Sequence, residues 1–382
     1  LDMKRRAFLH SVGVAGVVAF ARGVSAQAPQ APPPPAPFQP NRDFSADGLQ
    51  SYPDPDIITI DPAFNALRVN NTPIRRLWTG GLWCEGPAWS SQGRYLVWSD
   101  IPNNRQMRWL EDDGRVTVFR MPSNNSNGNT IDFEGRQISC EHVMRRIVRY
   151  ENDGTITILA DRYNGMRLNS PNDVVPHPDG SYWFTDPPYG GQLYEGVPDA
   201  PGGPSNTQGT LRQRVGQAAG VGEAKRELPT NVYRIASNGR VTVAVGADQL
   251  PGPPNGLAFS PDYKRLYVVS AGGVHVGAVA DDGRVSGLKQ FADFTVDGVA
   301  CRTDGIRADV YGNLWCSSNA GLSVGYSGVT VWNPSGTLLG RIRLPEACAN
   351  VAFGGPKRNR LFMAASQSLY AVYVNTQGAA PG

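Results

Sequence analysis

The chain has 382 residues, 40% of them hydrophobic and 18% charged, and a formal net charge of +3. That balance is globular and excludes low-complexity and collagen-like chains. Of 36 basic and 33 acidic residues, four and one precede position 27, leaving 32 of each sign beyond it, so no net field favours nucleic acid or an anionic membrane.

In chain order, the first element is a leader. Lys4-Arg5-Arg6-Ala7-Phe8-Leu9 is a twin-arginine pattern, residues 11–21 are apolar, and Val24-Ser25-Ala26 offers small residues for cleavage. Residues 1–26 therefore read as a twin-arginine export signal. The apolar run is well short of the roughly 20 residues of a spanning helix. The expectation is a periplasmic or secreted bacterial protein with no stable membrane insertion once the signal is removed. Residues 27–43, with prolines unbroken from 32 to 35, read as an extended tether. One globular domain is expected over 44–382.

Within that domain a short pattern recurs six times, a polar residue beside Gly or Pro followed by an apolar stretch, a turn and a strand. The anchors are Glu85-Gly86-Pro87, Gly128-Asn129-Thr130, Pro171-Asn172-Asp173, Pro254-Asn255-Gly256, Thr303-Asp304-Gly305 and Ala349-Asn350-Val351. Strand signals follow each, as in Tyr95-Leu96-Val97-Trp98 and Tyr182-Trp183-Phe184. A repeat of roughly 40 to 50 residues built of short strands predicts an all-β, six-bladed β-propeller. Asp112-Asp113-Gly114, Asn152-Asp153-Gly154, Ser237-Asn238-Gly239 and Asp281-Asp282-Gly283 supply hairpin turns late in the repeats. The longest gap between anchors holds one blade plus an insertion at about 191–229, which is either a lid over the site or a surface loop.

Five cysteines are present without a CxxC pair, which argues against a structural zinc site. Buried thiols and one disulfide, for instance between Cys301 and Cys316, both remain open.

In a propeller the anchors converge on one axis, so Glu85, Asn129, Asn172, Asn255, Asp304 and Asn350 are expected around a central channel. Singly, each reads as a turn cap. Together, Glu85 and Asp304 place two carboxylates in one channel, which calls for a cation or a proton. The candidate ligands are all oxygens, favouring Ca2+, Mg2+ or Mn2+.

Several motifs then carry a resemblance. Glu85-Gly86-Pro87-Ala88-Trp89, Arg167-Leu168-Asn169-Ser170-Pro171-Asn172-Asp173, Trp183-Phe184-Thr185-Asp186-Pro187-Pro188-Tyr189-Gly190, Asn255-Gly256-Leu257 and Asp304-Gly305 are arranged as in the SMP-30/gluconolactonase family. The resemblance spans about Trp78 to Tyr373. It implies a metal-dependent lactone hydrolase with one divalent ion, Ca2+ first and Zn2+, Mg2+ or Mn2+ as alternatives. Its ligands would be Glu85, Asn255 and Asp304, with Asn172 completing the set or holding substrate.

On this reading the ion polarises the lactone carbonyl and water opens the ring, with Asp304 or Asp173 as general base. Asn172, Asn129, His142, Asp186 and Arg167 are the expected substrate contacts. Counting along the blades puts Asp100, His142 and Asp186 at matching ends of the second strands. The family's Asp-Thr after the fourth repeat's strand is replaced by Ser270-Ala271, which leaves the lactone open. The competing readings are a non-catalytic propeller that binds a small ligand or a protein, and a hydrolase of an aryl lactone or phosphotriester at the same metal.

Overall fold

The computed structural model describes residues 34–191 and 227–381. Six antiparallel sheets carry the fold, and the described residues contain no α-helix, only short 3-10 turns at Pro62–Ala66, Tyr189–Gly191 and Ala247–Gln249. Blade one holds Cys84–Ser90, Tyr95–Asp100, Arg105–Leu110 and Val116–Arg120, and blade two Ser126–Ile131, Gln137–Glu141, Arg146–Tyr150 and Ile156–Ala160. Blade three comprises Val174–Pro176, Tyr182–Thr185, Val232–Ile235 and Val241–Val245; blade four comprises Pro254–Phe259, Arg265–Ser270, Gly273–Val279 and Val285–Gln290. Blade five runs through Ile306–Ala308, Leu314–Ser318, Gly328–Trp332 and Leu338–Arg343, with Ile57–Thr59 added as a fifth strand. Blade six takes Cys348–Gly354, Arg360–Ala365 and Ser368–Tyr373 from the C-terminal end and its outermost strand, Arg75–Thr79, from the N-terminal side. That last pairing, with Arg75 opposite Ala371 and Thr79 opposite Ser368, closes the ring. Pairing the two ends of the domain within one sheet covers an edge that would otherwise lie open. The chain is thus the expected six-bladed β-propeller.

Apolar faces of neighbouring blades form the core. Trp89 stacks on Phe362 between blades one and six at 5.9 Å, Trp183 meets Phe259 edge-on between three and four at 5.2 Å, and Trp315 meets Phe353 between five and six at 5.5 Å. Blades one and two are different. Ala88, Val97 and Ile131 form a small apolar cluster there with Tyr95 and Phe119 packed against it, and a buried polar network lies beside it.

The N-terminal boundary differs from expectation. The leader lies outside the described residues, but the tether ends well before residue 43. Phe38 lies under the Arg343 guanidinium at 5.3 Å, and Arg42 pairs with both Asp54 and Asp56 at 2.6 Å. Those two carboxylates are buried and require a cationic partner, so composition alone misjudged this stretch. Insertion residues 192–226 also lie outside the described set. Its far end is docked, with Leu228 buried and Glu227 3.4 Å from Arg145. All five cysteines are buried free thiols.

Candidate active site

The inner strands begin at one face of the ring, and register identifies equivalent positions there. Cys84 pairs with Asp100, Ser126 with Glu141, Pro254 with Ser270 and Cys348 with Ala365. In each case a bulge follows. The next residues are Glu85, Asn127, Asn255 and Ala349, and Asn172 and Asp304 precede the inner strands of blades three and five.

Glycines let these strand ends touch. The Gly128 amide donates to Asn172 O at 2.8 Å and the Gly256 amide to Asp304 O at 3.1 Å. A Cβ on Gly128 would lie 2.4 Å from Asn172 O, and one on Gly256 2.2 Å from Asp304 O. Only a residue without a side chain fits that approach.

The polar side chains then form a chain around the mouth. Asn127 Nδ2 donates to Asn172 Oδ1, and Asn172 Nδ2 donates to Asn255 Oδ1. Asn255 in turn hydrogen-bonds Asp304. On the other side, Asn350 Nδ2 donates to Glu85 Oε2 at 3.1 Å, and the same oxygen accepts from the Gly86 amide at 2.8 Å. Burial pushes the Glu85 carboxyl well up, and the nearby charge of Asp304 adds to this. Burial and then Asp173 push Asp304 up to about 7, against the Asn255 hydrogen bond that lowers it. Among the described residues no ion pair joins Glu85 or Asp304 to an arginine or lysine.

Four expected residues stand differently from the sequence reading. Asn129 is buried between blades one and two, two positions past the mouth. Its Nδ2 donates to Gly86 O at 2.9 Å and Ser99 Oγ at 3.0 Å, and its Oδ1 accepts from Gln106, Gln137 and Ser139. It is a structural node with its hydrogen-bonding capacity spent, and Asn127 takes the channel position. Arg167 sits on the short hairpin of Arg162–Tyr163 and Met166–Arg167 and donates to Met144 O at 3.0 Å. No hydrogen bond ties it to the anchor residues.

Register also makes Glu141, not His142, the equivalent of Asp100. Both carry an arginine five residues on, Arg105 at 2.9 Å and Arg146 at 2.6 Å. His142 is one residue further and fully buried, with Nε2 3.3 Å from Asn127 Nδ2, so it reaches the ring through Asn127. Asp173 is the fourth. Its Oδ1 accepts from the Val174 amide at 2.9 Å, and its Oδ2 lies 3.2 Å from Arg307 Nη1. Of the two candidate bases, Asp173 is therefore paired with an arginine, and Asp304 has no such pair among the described residues.

Asp186 is buried at the root of the insertion. Oδ2 accepts from the Asn169 amide at 2.8 Å, Oδ1 has no partner, and burial lifts the group to about 8. Ser270 points away from chemistry, since its hydroxyl donates to Gly252 O at 2.8 Å.

Two residues near the anchors escaped the sequence reading. Asn127 was hidden beside Asn129, with Gly128 between them as the only cue. Tyr189 is half-buried and close enough to Asp304 for that charge to add to burial in raising its phenol. Gly190 follows it, its amide donating to Ser170 Oγ at 2.9 Å, and a Cβ added there would lie 3.1 Å from His142.

Comparison with known proteins gives the family. The profile described as the SMP-30/Gluconolactonase/LRE-like region matches residues 83–367. A gluconolactonase of Zymomonas mobilis is 27% identical over 347 residues, covering 84% of this chain and 87% of that one. A pentonolactonase of Haloferax volcanii is 27% identical over 293 residues, covering 73% and 80%. Among solved structures, a Xanthomonas campestris gluconolactonase superposes with a TM-score of 0.67 at 33% identity, covering 83% of this chain and 94% of that one. The chain belongs to the SMP-30/gluconolactonase/LRE-like family.

Proposed function

We infer that this chain hydrolyses lactones, opening a sugar or related lactone to its hydroxy acid at the mouth of the propeller. The observation that carries the reading is the pair Glu85 and Asp304, two carboxylates at one channel mouth with no basic side chain paired to either among the described residues. Neutral amide oxygens from Asn172 and Asn255 complete an all-oxygen set. No three His, Cys, Asp or Glu side chains cluster to hold an ion among the described residues, so the site depends on those amides. Such a donor set fits a hard divalent cation, Ca2+ first.

Glu85, Asn172, Asn255 and Asp304 would hold the ion, which supplies Lewis-acid polarisation of the ester carbonyl and a more acidic water. Asp304, a carboxylate without an arginine or lysine partner among the described residues, takes the proton as water attacks. Asn127 fixes Asn172 from behind, with His142 beside it. Tyr189 walls the mouth from the insertion side and presents a phenol to the sugar hydroxyls. We place the protein outside the cytoplasm on the strength of its leader sequence.

The test is a lactone panel followed by acid release, with and without chelation. Ring opening that stops on chelation and returns with Ca2+ is the expected result. Full activity in a demonstrably metal-free preparation would remove the metal from the mechanism. Silence on every lactone, with the ion bound, would instead favour a non-catalytic binding propeller.

A further inference from the structure

Arg307 occupies an unusual place for a guanidinium. It projects from Ile306–Ala308, the inner strand of blade five, and is 8% exposed. Nη1 donates to Ile306 O at 2.7 Å and lies 3.2 Å from Asp173 Oδ2, on blade three's side of the bore. Asp173 itself is 1% exposed.

Below this pair the channel is partly filled. The C-terminal residues cross its floor, with Val310 N donating to Gln377 O at 2.9 Å and Ala379 N to Ala308 O at 3.0 Å. Two small cavities remain under Arg307, of about 30 and 20 Å3. Each has room for a water or two. Both side chains are largely buried, and each is the other's counter-ion.

Three carboxylates stand around this bore: Glu85, Asp304 and Asp173. The Asp173 charge is felt by both of the others, and only Asp173 has a cationic partner. We propose that Arg307 is a positioning residue that holds the formal charge of the site at two minus, and thereby sets its preference for a divalent over a trivalent cation. The inference rests on the reading of Glu85, Asn172, Asn255 and Asp304 as cation ligands. Without Arg307 the ion would face a third uncompensated carboxylate, and a trivalent ion gains more from that than a divalent one.

The test is calorimetric titration of the full chain with Ca2+ alone and with Tb3+ alone. Arg307→Met should raise the ratio of Tb3+ to Ca2+ affinity by roughly tenfold or more, because one extra site charge acts on one extra unit of ion charge. Arg307→Lys should keep the parent ratio, since it keeps the charge. Asp173→Asn should lower the ratio by leaving Arg307 unpaired, and it supplies the answer if Arg307→Met fails to fold. The double variant Arg307→Met/Asp173→Asn should return towards the parent.

An unchanged ratio in Arg307→Met or in Asp173→Asn overturns the inference alone, provided the parent binds Ca2+. A shift in Arg307→Lys as large as in Arg307→Met also overturns it, by assigning the effect to shape. A parent that binds neither ion sinks the ligand reading and this inference together.

Discussion

Asn350 Nδ2 reaches Glu85 Oε2 at 3.1 Å across 265 residues of sequence. A side chain of the last blade thus fixes the first anchor of the first blade, and closure of the ring also assembles the site. The strand that completes blade six comes from the N-terminal side of the domain, so whatever loosens that pairing also loosens Glu85.

Glu85→Gln tests the charge with the shape nearly kept. It should bind Ca2+ far more weakly than the parent in calorimetry, while its melting temperature without ion stays close to the parent's. Asn350→Ala keeps the charge and removes a buried donor. Its unfolding free energy should drop by about 1–3 kcal/mol, the cost of leaving a buried carboxylate oxygen short of a partner. Equal Ca2+ affinity in Glu85→Gln and parent would end the ligand assignment.

The pH dependence follows from Asp304. Its proton affinity in the folded state, near 7, exceeds its ordinary value of 3.8, so the native state binds more protons than the unfolded chain between those limits. Stability from this group is complete below about pH 4 and is lost as pH climbs towards 7. Burial acts on Glu85 in the same direction. The chelated protein should therefore melt at progressively lower temperature over this range. A divalent ion requires the charged carboxylates and displaces their protons, so its added stabilisation should grow as pH rises. Asp304→Asn should flatten both curves and cut turnover by at least ~10²-fold, the usual scale for losing a general base. Melting curves with and without Ca2+ across pH decide the matter, and a stabilisation that shrinks with pH contradicts it.

Asn127 and Asn129 should behave oppositely despite being two residues apart. Asn127→Ala removes the donor to Asn172 Oδ1 and should change kcat and KM of the folded protein, beyond the stability cost of a lost buried donor. Asn129→Ala strands Gln106, Gln137 and Ser139 between blades one and two. It should lower the unfolding free energy by about 1–3 kcal/mol and leave kcat/KM of the folded fraction near the parent. Reversed phenotypes would return Asn129 to the channel.

That pair also shows where the sequence was readable. The six-fold recurrence was plain because each repeat couples an anchor to a turn and a strand, and these local signals do not depend on the rest of the fold. The meeting of Asn172, Asn255 and Asp304 at one end of the inner strands was legible for the same reason. The stretch Asn127-Gly128-Asn129 offered two amides around one glycine, and the choice depends on the bulge after Ser126, which leaves no composition signal. His142 and Glu141 are confused by the same one-residue ambiguity, and in a strand such a slip exchanges the two faces. The Asp173–Arg307 pair, 134 residues apart, is a product of ring closure and has no local trace.

Gly256 offers the sharpest test of that close contact between strand ends. A methyl group there would lie 2.2 Å from Asp304 O, against backbone that has no room to yield because Gly256 N is bonded to that same oxygen. Gly256→Ala must push blades four and five apart at the site, and forced overpacking of this kind typically costs about 1–3 kcal/mol. Gly273→Ala is the matched control, on the next strand but one of the same blade, where an added Cβ meets nothing within 4 Å. Gly256→Ala should lose both stability and Ca2+ affinity, because the displaced backbone carries Asp304, whereas Gly273→Ala should keep both. If Gly256→Ala binds Ca2+ as the parent does, the glycine contact is not what positions Asp304.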